Sequence, residues 1–118
     1  MELLSLNFYG IAIRNKKGEI ISLAKEDFKG TLCFGIMDND EDFSSLEVSL
    51  HESELKAKRS FTAKASKGSY EFSDELKELL HKEYGLIFNE NLLHTCIDYS
   101  QIKNLVSFVS LKVTYDEI

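Results

Sequence analysis

The sequence predicts an α+β protein, a twisted antiparallel sheet of about five to seven strands with one main helix, residues 74–84, packed on one face. Three observations point there. Apolar residues recur at every second position along most of the chain, which is the period of a half-buried strand. One segment carries a clear helical stripe, with Leu76, Leu79, Leu80 and Tyr84 at i, i+3, i+4 and i+8. Glycines at 18, 30, 68 and 85 punctuate the apolar runs where the chain has to turn. A length of 118 residues suits a single domain, 1–118.

Taken in order, Leu4, Leu6 and Phe8 share one face of a first strand, whereas Ile11 and Ile13 have the opposite parity. An inserted residue produces such a phase change, so a β-bulge or bend is expected at Tyr9-Gly10. Asn15-Lys16-Lys17-Gly18 reads as a hairpin turn leading into a second strand, Glu19 to Ala24. Leu32, Phe34 and Ile36 alternate in a third. Asp38 to Asp42 reads as a loop, and Leu46, Val48 and Leu50 as the inward face of the next strand. Leu55, Ala57 and Phe61 suggest another strand, with Arg59 breaking the inward parity near an edge. Lys64 to Ser69 forms a turn, and Tyr70 and Phe72 open a short return strand.

The helix begins at Ser73, a hydroxyl able to cap its first turn, with Asp74 and Glu75 at the end that favours negative charge. Gly85 is its natural stop. Beyond it, Leu92 to Tyr99 reads as a strand, Ser100 to Asn104 as a turn or helical turn, and Val109 to Tyr115 as a closing strand.

Composition narrows the function classes. The chain is 43% hydrophobic and 29% charged, as globular proteins are, and has no apolar run near the ~20 residues of a membrane span. Met1-Glu2-Leu3-Leu4 lacks the basic start of a signal peptide, so a cytoplasmic location is expected. Cys33 and Cys96 stand far apart and are expected to be free thiols. The net charge of -6 disfavours nucleic acid as the main partner, because phosphate would be repelled overall.

The charges are segregated along the chain. Asp38, Asp40, Glu41, Asp42, Glu47, Glu52 and Glu54 fall in a stretch without Lys or Arg. Lys56, Lys58, Arg59, Lys64 and Lys67 follow in a stretch without acids. The acids, with Phe43 as an apolar anchor among them, are expected to form a docking surface for a basic protein partner. A solvated turn and strand is the plainer alternative. The 56–67 run allows a second reading, a small regulatory or nucleic-acid-associated domain using Lys56, Lys58, Arg59 and Lys64, beside Phe61, Tyr70 and Phe72. A solvated strand that resists edge-to-edge aggregation is the alternative there.

Other chemistry finds little purchase. Asp38, Asp40 and Asp42 match the opening of an EF-hand loop, but Phe43 stands where its glycine belongs and Ser49 where its glutamate does. His94 and Cys96 make one ligand pair without a second, and Glu78 and His81 one ExxH where di-iron sites need two. No nucleophile elbow, zinc-protease, phosphate-loop or dinucleotide motif is present. A non-enzymatic protein with no cofactor and no metal is expected.

In size, acidity and one-helix sheet pattern, with Phe34 to Leu50 surrounding the acidic loop, the chain resembles the small acidic immunity proteins of bacterial toxin–immunity systems. The resemblance implies a cytosolic protein that binds and blocks a cognate toxin domain, commonly a basic nuclease. It transfers no individual residue.

Overall fold

The computed structural model describes residues 3–37, 43, 45–86 and 99–116 and has the expected α+β class. The elements run β1 (Leu3–Arg14), β2 (Ile20–Leu23), β3 (Lys25–Glu26), β4 (Leu32–Phe34), β5 (Glu47–Val48), α1 (Glu54–Ala65), β6 (Tyr70–Phe72), α2 (Asp74–Tyr84), α3 (Tyr99–Leu105) and β7 (Val106–Asp116). Instead of one antiparallel sheet there are two. An antiparallel sheet of three strands has the order β2-β1-β7, and a mixed one of four has the order β5-β3-β4-β6.

One chain segment serves both sheets. β2 pairs with β1, and after Ala24 the same extended backbone continues as β3 in the other sheet. Ala24 is fully buried at this crossing, and its N–H donates to the Ile11 carbonyl at 2.8 Å while its own carbonyl accepts from Ser49 N–H at 2.9 Å. The preceding turn forms as predicted. The Asn15 side-chain oxygen accepts from the N–H groups of Lys17 and Glu19, and Gly18 takes a φ of 82°.

The expected bulge at Tyr9-Gly10 is absent from the β1–β7 ladder, whose register runs unbroken from Leu3↔Asp116 to Ile13↔Val106. The irregularity lies between Ile13 and Arg14, against β2. Parity changes at Ile11 for a different reason. Ile11, Ala12 and Ile13 are all fully buried, so both faces of this part of the strand are covered and alternation is not required.

The largest correction concerns Leu55 to Phe61, expected as a strand, and Lys64, expected in the turn after it. They lie in helix α1, capped by Ser53, whose hydroxyl accepts from Lys56 N–H at 3.1 Å. Ala57, Phe61 and Ala65 are buried at a spacing of four, one helical face, and Arg59 is exposed on another. The helix also explains why β4 and β6 pair in parallel, Leu32 with Tyr70 and Phe34 with Phe72. A parallel pair needs a crossover, and α1 lies within it.

β5 is shorter than expected. Only Glu47 and Val48 pair with β3; Ser49 is buried and Leu50 is exposed, the reverse of the alternation predicted there. The chain is leaving one sheet for the other at this point, and His51 exchanges two backbone hydrogen bonds with Tyr9 of β1. α2 matches its expected bounds, with Ser73 accepting from Leu76 N–H and Gly85 closing it at φ 70°. Ser100–Asn104 falls inside α3, which runs directly into β7. The strand expected over residues 92–99 lies outside the described residues, apart from Tyr99.

The core joins the two sheets to the helices. Ile11 and Ile13 of β1, Leu32 and Phe34 of β4, Phe61 of α1, Phe72 of β6, Leu76 and Leu80 of α2 and Ile102 of α3 form one buried cluster. Phe34 stacks on Phe72 at 5.3 Å between ring centroids, and Phe61 meets Phe108 of β7 edge-on at 5.8 Å.

Candidate functional site

Of the acidic stretch, Asp38, Asp40, Glu41 and Asp42 lie outside the described residues. Glu47 is exposed on β5, the outer strand of its sheet, directly across from Glu26 of β3. No ion pair to Glu47 occurs among the described residues. Glu26 itself is held by the Lys64 ammonium of α1, and burial pulls that lysine's pKa below its usual value even with the carboxylate beside it.

Glu52 and Glu54 have a different setting from the one expected. They lie just before and at the start of α1, where the four-residue helical spacing brings lysines to them. Lys56 reaches Glu52 at 2.6 Å and Lys58 reaches Glu54 at 3.2 Å. The hydrogen bond from Lys56, and then its charge, hold the Glu52 carboxyl below its ordinary range. These exposed pairs add little stability, but each lysine offsets the charge its carboxylate would offer a distant cation.

Phe43 does not serve as the expected apolar anchor. It is buried, with 7% exposure, and its carbonyl accepts from the Lys25 ammonium. The aromatic ring presented on this side of the protein is Phe28, which is 93% exposed at the tip of the β3–β4 turn. Sequence reading overlooked it. Its signal was Asp27 followed by Gly30, a turn signature that puts the residues between them at a tip.

The basic run is dispersed around α1. Lys56 and Lys58 pair with glutamates, Lys64 turns inward to Glu26, and Arg59 and Lys67 are exposed. Phe61, Tyr70 and Phe72 are all buried, so they form no stacking platform beside these cations.

Among the remaining reactive groups, Cys33 is a free thiol at 2% exposure in the middle of its sheet. Burial, followed by the charges of Asp27 and Glu71, pushes its pKa up to about 11. A thiol held protonated in this way is a poor nucleophile. His51 Nε2 lies 3.0 Å from the Ser49 hydroxyl, and partial burial lowers the pKa of the ring. No group of three or more His, Cys, Asp or Glu that could hold a metal ion occurs among the described residues.

A cleft of about 400 Å³ opens where Arg14, Tyr84 and the α3–β7 junction meet, lined also by Gln101, Asn104 and Ser107. Two of its polar groups are already engaged in the fold: Arg14 donates to the Gly18 carbonyl at 2.6 Å and Tyr84 to the Arg14 carbonyl at 2.7 Å. The cleft can hydrogen-bond a small polar molecule, but its lining includes no acid or histidine for proton transfer.

The fold and these surfaces define a small α+β protein of two sheets and three described helices, with an acid-bearing sheet edge beside an exposed aromatic turn. No helix among the described residues is long and apolar enough to cross a membrane. Comparison with protein-family models, with curated proteins and with solved structures gave no match.

Proposed function

We propose that this chain is a non-catalytic, cytoplasmic binding protein that occludes a basic protein partner, as an immunity protein does its cognate toxin domain. The observation that carries the reading is Glu47, an exposed carboxylate with no ion pair among the described residues, on the outer strand that follows the acid-rich stretch Asp38–Asp42. The overall charge of -6 gives the same sign at long range. Glu52 and Glu54 contribute less, because Lys56 and Lys58 offset them. The proposed contact therefore centres on β5 and the chain leading into it.

Electrostatic complementarity acts mainly on the rate of encounter, and salt screens it. Mixing with the protein encoded beside it, at low and high ionic strength, tests the idea directly. Association should be fast and salt-sensitive, and charge reversal at Asp40, Asp42 and Glu47 should slow it at least tenfold. Unchanged kinetics in the reversed variant would remove the acidic surface from the mechanism.

The nucleic-acid reading has less support. A phosphate strip needs unpaired cations with accessible rings, whereas Lys56, Lys58 and Lys64 are paired and the neighbouring aromatics are buried.

A further inference from the structure

We infer that Phe28 is the apolar anchor of this docking surface, inserting into an apolar pocket rimmed by cationic side chains on the partner protein. The inference rests on the reading of the chain as a binder of a basic protein and adds the residue that would hold the complex together.

The turn that carries Phe28 is built without it. The Asp27 carboxylate accepts from the N–H groups of Lys29 and Thr31, each at 2.9 Å. Gly30 N–H donates to the Asp27 carbonyl at 3.0 Å, Asp27 N–H to the Thr31 carbonyl at 3.1 Å, and Gly30 supplies the positive φ of 85°. Asp27 and Gly30 thus satisfy the backbone, and any polar residue would fill position 28. The ring there has 93% of its surface in water, the most of any large apolar side chain described, and the Lys29 ammonium stands over its face, 5.7 Å from the centroid.

The bonded turn holds the backbone under the ring, so docking orders only the side chain and most of the apolar burial is available for affinity. Aromatic residues held in this way dominate the energy of many interfaces. The surrounding charge selects the partner. Asp27 lies in the turn itself, and Glu47 faces Glu26 of β3, two residues before Phe28. Lys25, Lys29 and Lys64 stand nearby, Lys25 turned to the Phe43 carbonyl, Lys29 over the ring and Lys64 bound to Glu26, so the net charge of -6 sets the sign at long range. A phosphate-bearing surface, nucleic acid or anionic lipid, meets a net repulsion from the protein as a whole, whereas a basic protein meets attraction.

The chain contains no tryptophan, so Phe28→Trp introduces a unique fluorescent reporter at the tip. Wild type, F28W and F28A are titrated with the protein encoded beside this one. The inference expects a blue shift of F28W emission on binding, and at least tenfold weaker binding by F28A through faster dissociation, with its thermal melt unchanged. Binding by F28A as tight as wild type, or F28W emission that stays unshifted in the complex, overturns the anchor and leaves the acidic-surface reading standing. A large drop in the F28A melting temperature also overturns it, by giving the ring a structural task. Absence of wild-type binding overturns the parent reading and the anchor together. A blue shift with phosphatidylserine vesicles and none with the protein would assign the ring to a membrane surface and reject the inference.

Discussion

Gly10 of β1 lies directly under Leu111 of β7: a Cβ placed on the glycine would stand 2.8 Å from Leu111 Cδ1. The two residues are diagonal neighbours in the ladder, and the leucine folds over the space that a side chain would fill. Gly10→Ala should therefore lower stability by about 1–2 kcal/mol, as modest overpacking does. Denaturant midpoints measure the loss. The same substitution in a Leu111→Ala background should cost less, and additive effects would show that the two side chains do not compete for this space.

His51 makes stability depend on pH. Burial lowers its pKa from the usual 6.5, so the unfolded chain binds a proton before the folded one does. Its contribution is complete above about pH 6.5 and is lost as the pH falls through the lowered native value. Unfolding free energies between pH 7.5 and 5 should fall with decreasing pH, and His51→Asn should flatten that slope. An unchanged slope would place the proton uptake at other groups.

Helix α1 depends on its cap and on one large side chain. Removing the Ser53 hydroxyl leaves the Lys56 N–H without its partner, and Ser53→Ala should cost about 1 kcal/mol. Phe61→Ala, at a position with 2% exposure in contact with Phe108, should cost about 3–5 kcal/mol. Both are read from denaturant midpoints. A negligible effect of Phe61→Ala would contradict the helical face described for residues 57, 61 and 65.

Ser22 offers the opposite case. Its hydroxyl is fully buried on β2 and has no hydrogen-bond partner among the described residues. Ser22→Ala removes an unsatisfied polar group and should raise stability by about 1 kcal/mol. A loss of stability would reveal a bond to the hydroxyl.

The sequence was most legible where several local signals agreed. For α2, cap, acidic first turn, apolar stripe and terminal glycine all coincide, and its bounds follow from them. α1 was misread because two of its three buried positions are alanines, so its stripe is faint. Ala57 and Phe61 are an even number of residues apart and fit a strand face as well as a helix face. Missing α1 concealed the parallel pairing of β4 with β6, which needs the crossover. In β1 the alternation failed where both faces are covered, a fact of tertiary packing that no local pattern carries.

The candidate site was legible only in its charge. The acids are plain in the sequence, but the lysines that reach Glu52 and Glu54 follow from a helix that was read as a strand. Nor does the sequence show which phenylalanine faces water. Phe43 stands among acids yet is buried, while Phe28 follows an aspartate that binds the turn and leaves the ring outside.

The long pairing of β1 with β7 has a consequence for how the protein is made. β1 leaves the ribosome before every other described element, and β7, which pairs with it from Leu3 to Ile13, leaves after all the others described. Until β7 emerges, Leu3 to Phe8 have no ladder partner among the described strands, so the nascent chain carries a half-built ladder that a chaperone can grip. Synthesis, rather than local helix formation, then sets the moment at which the molecule closes.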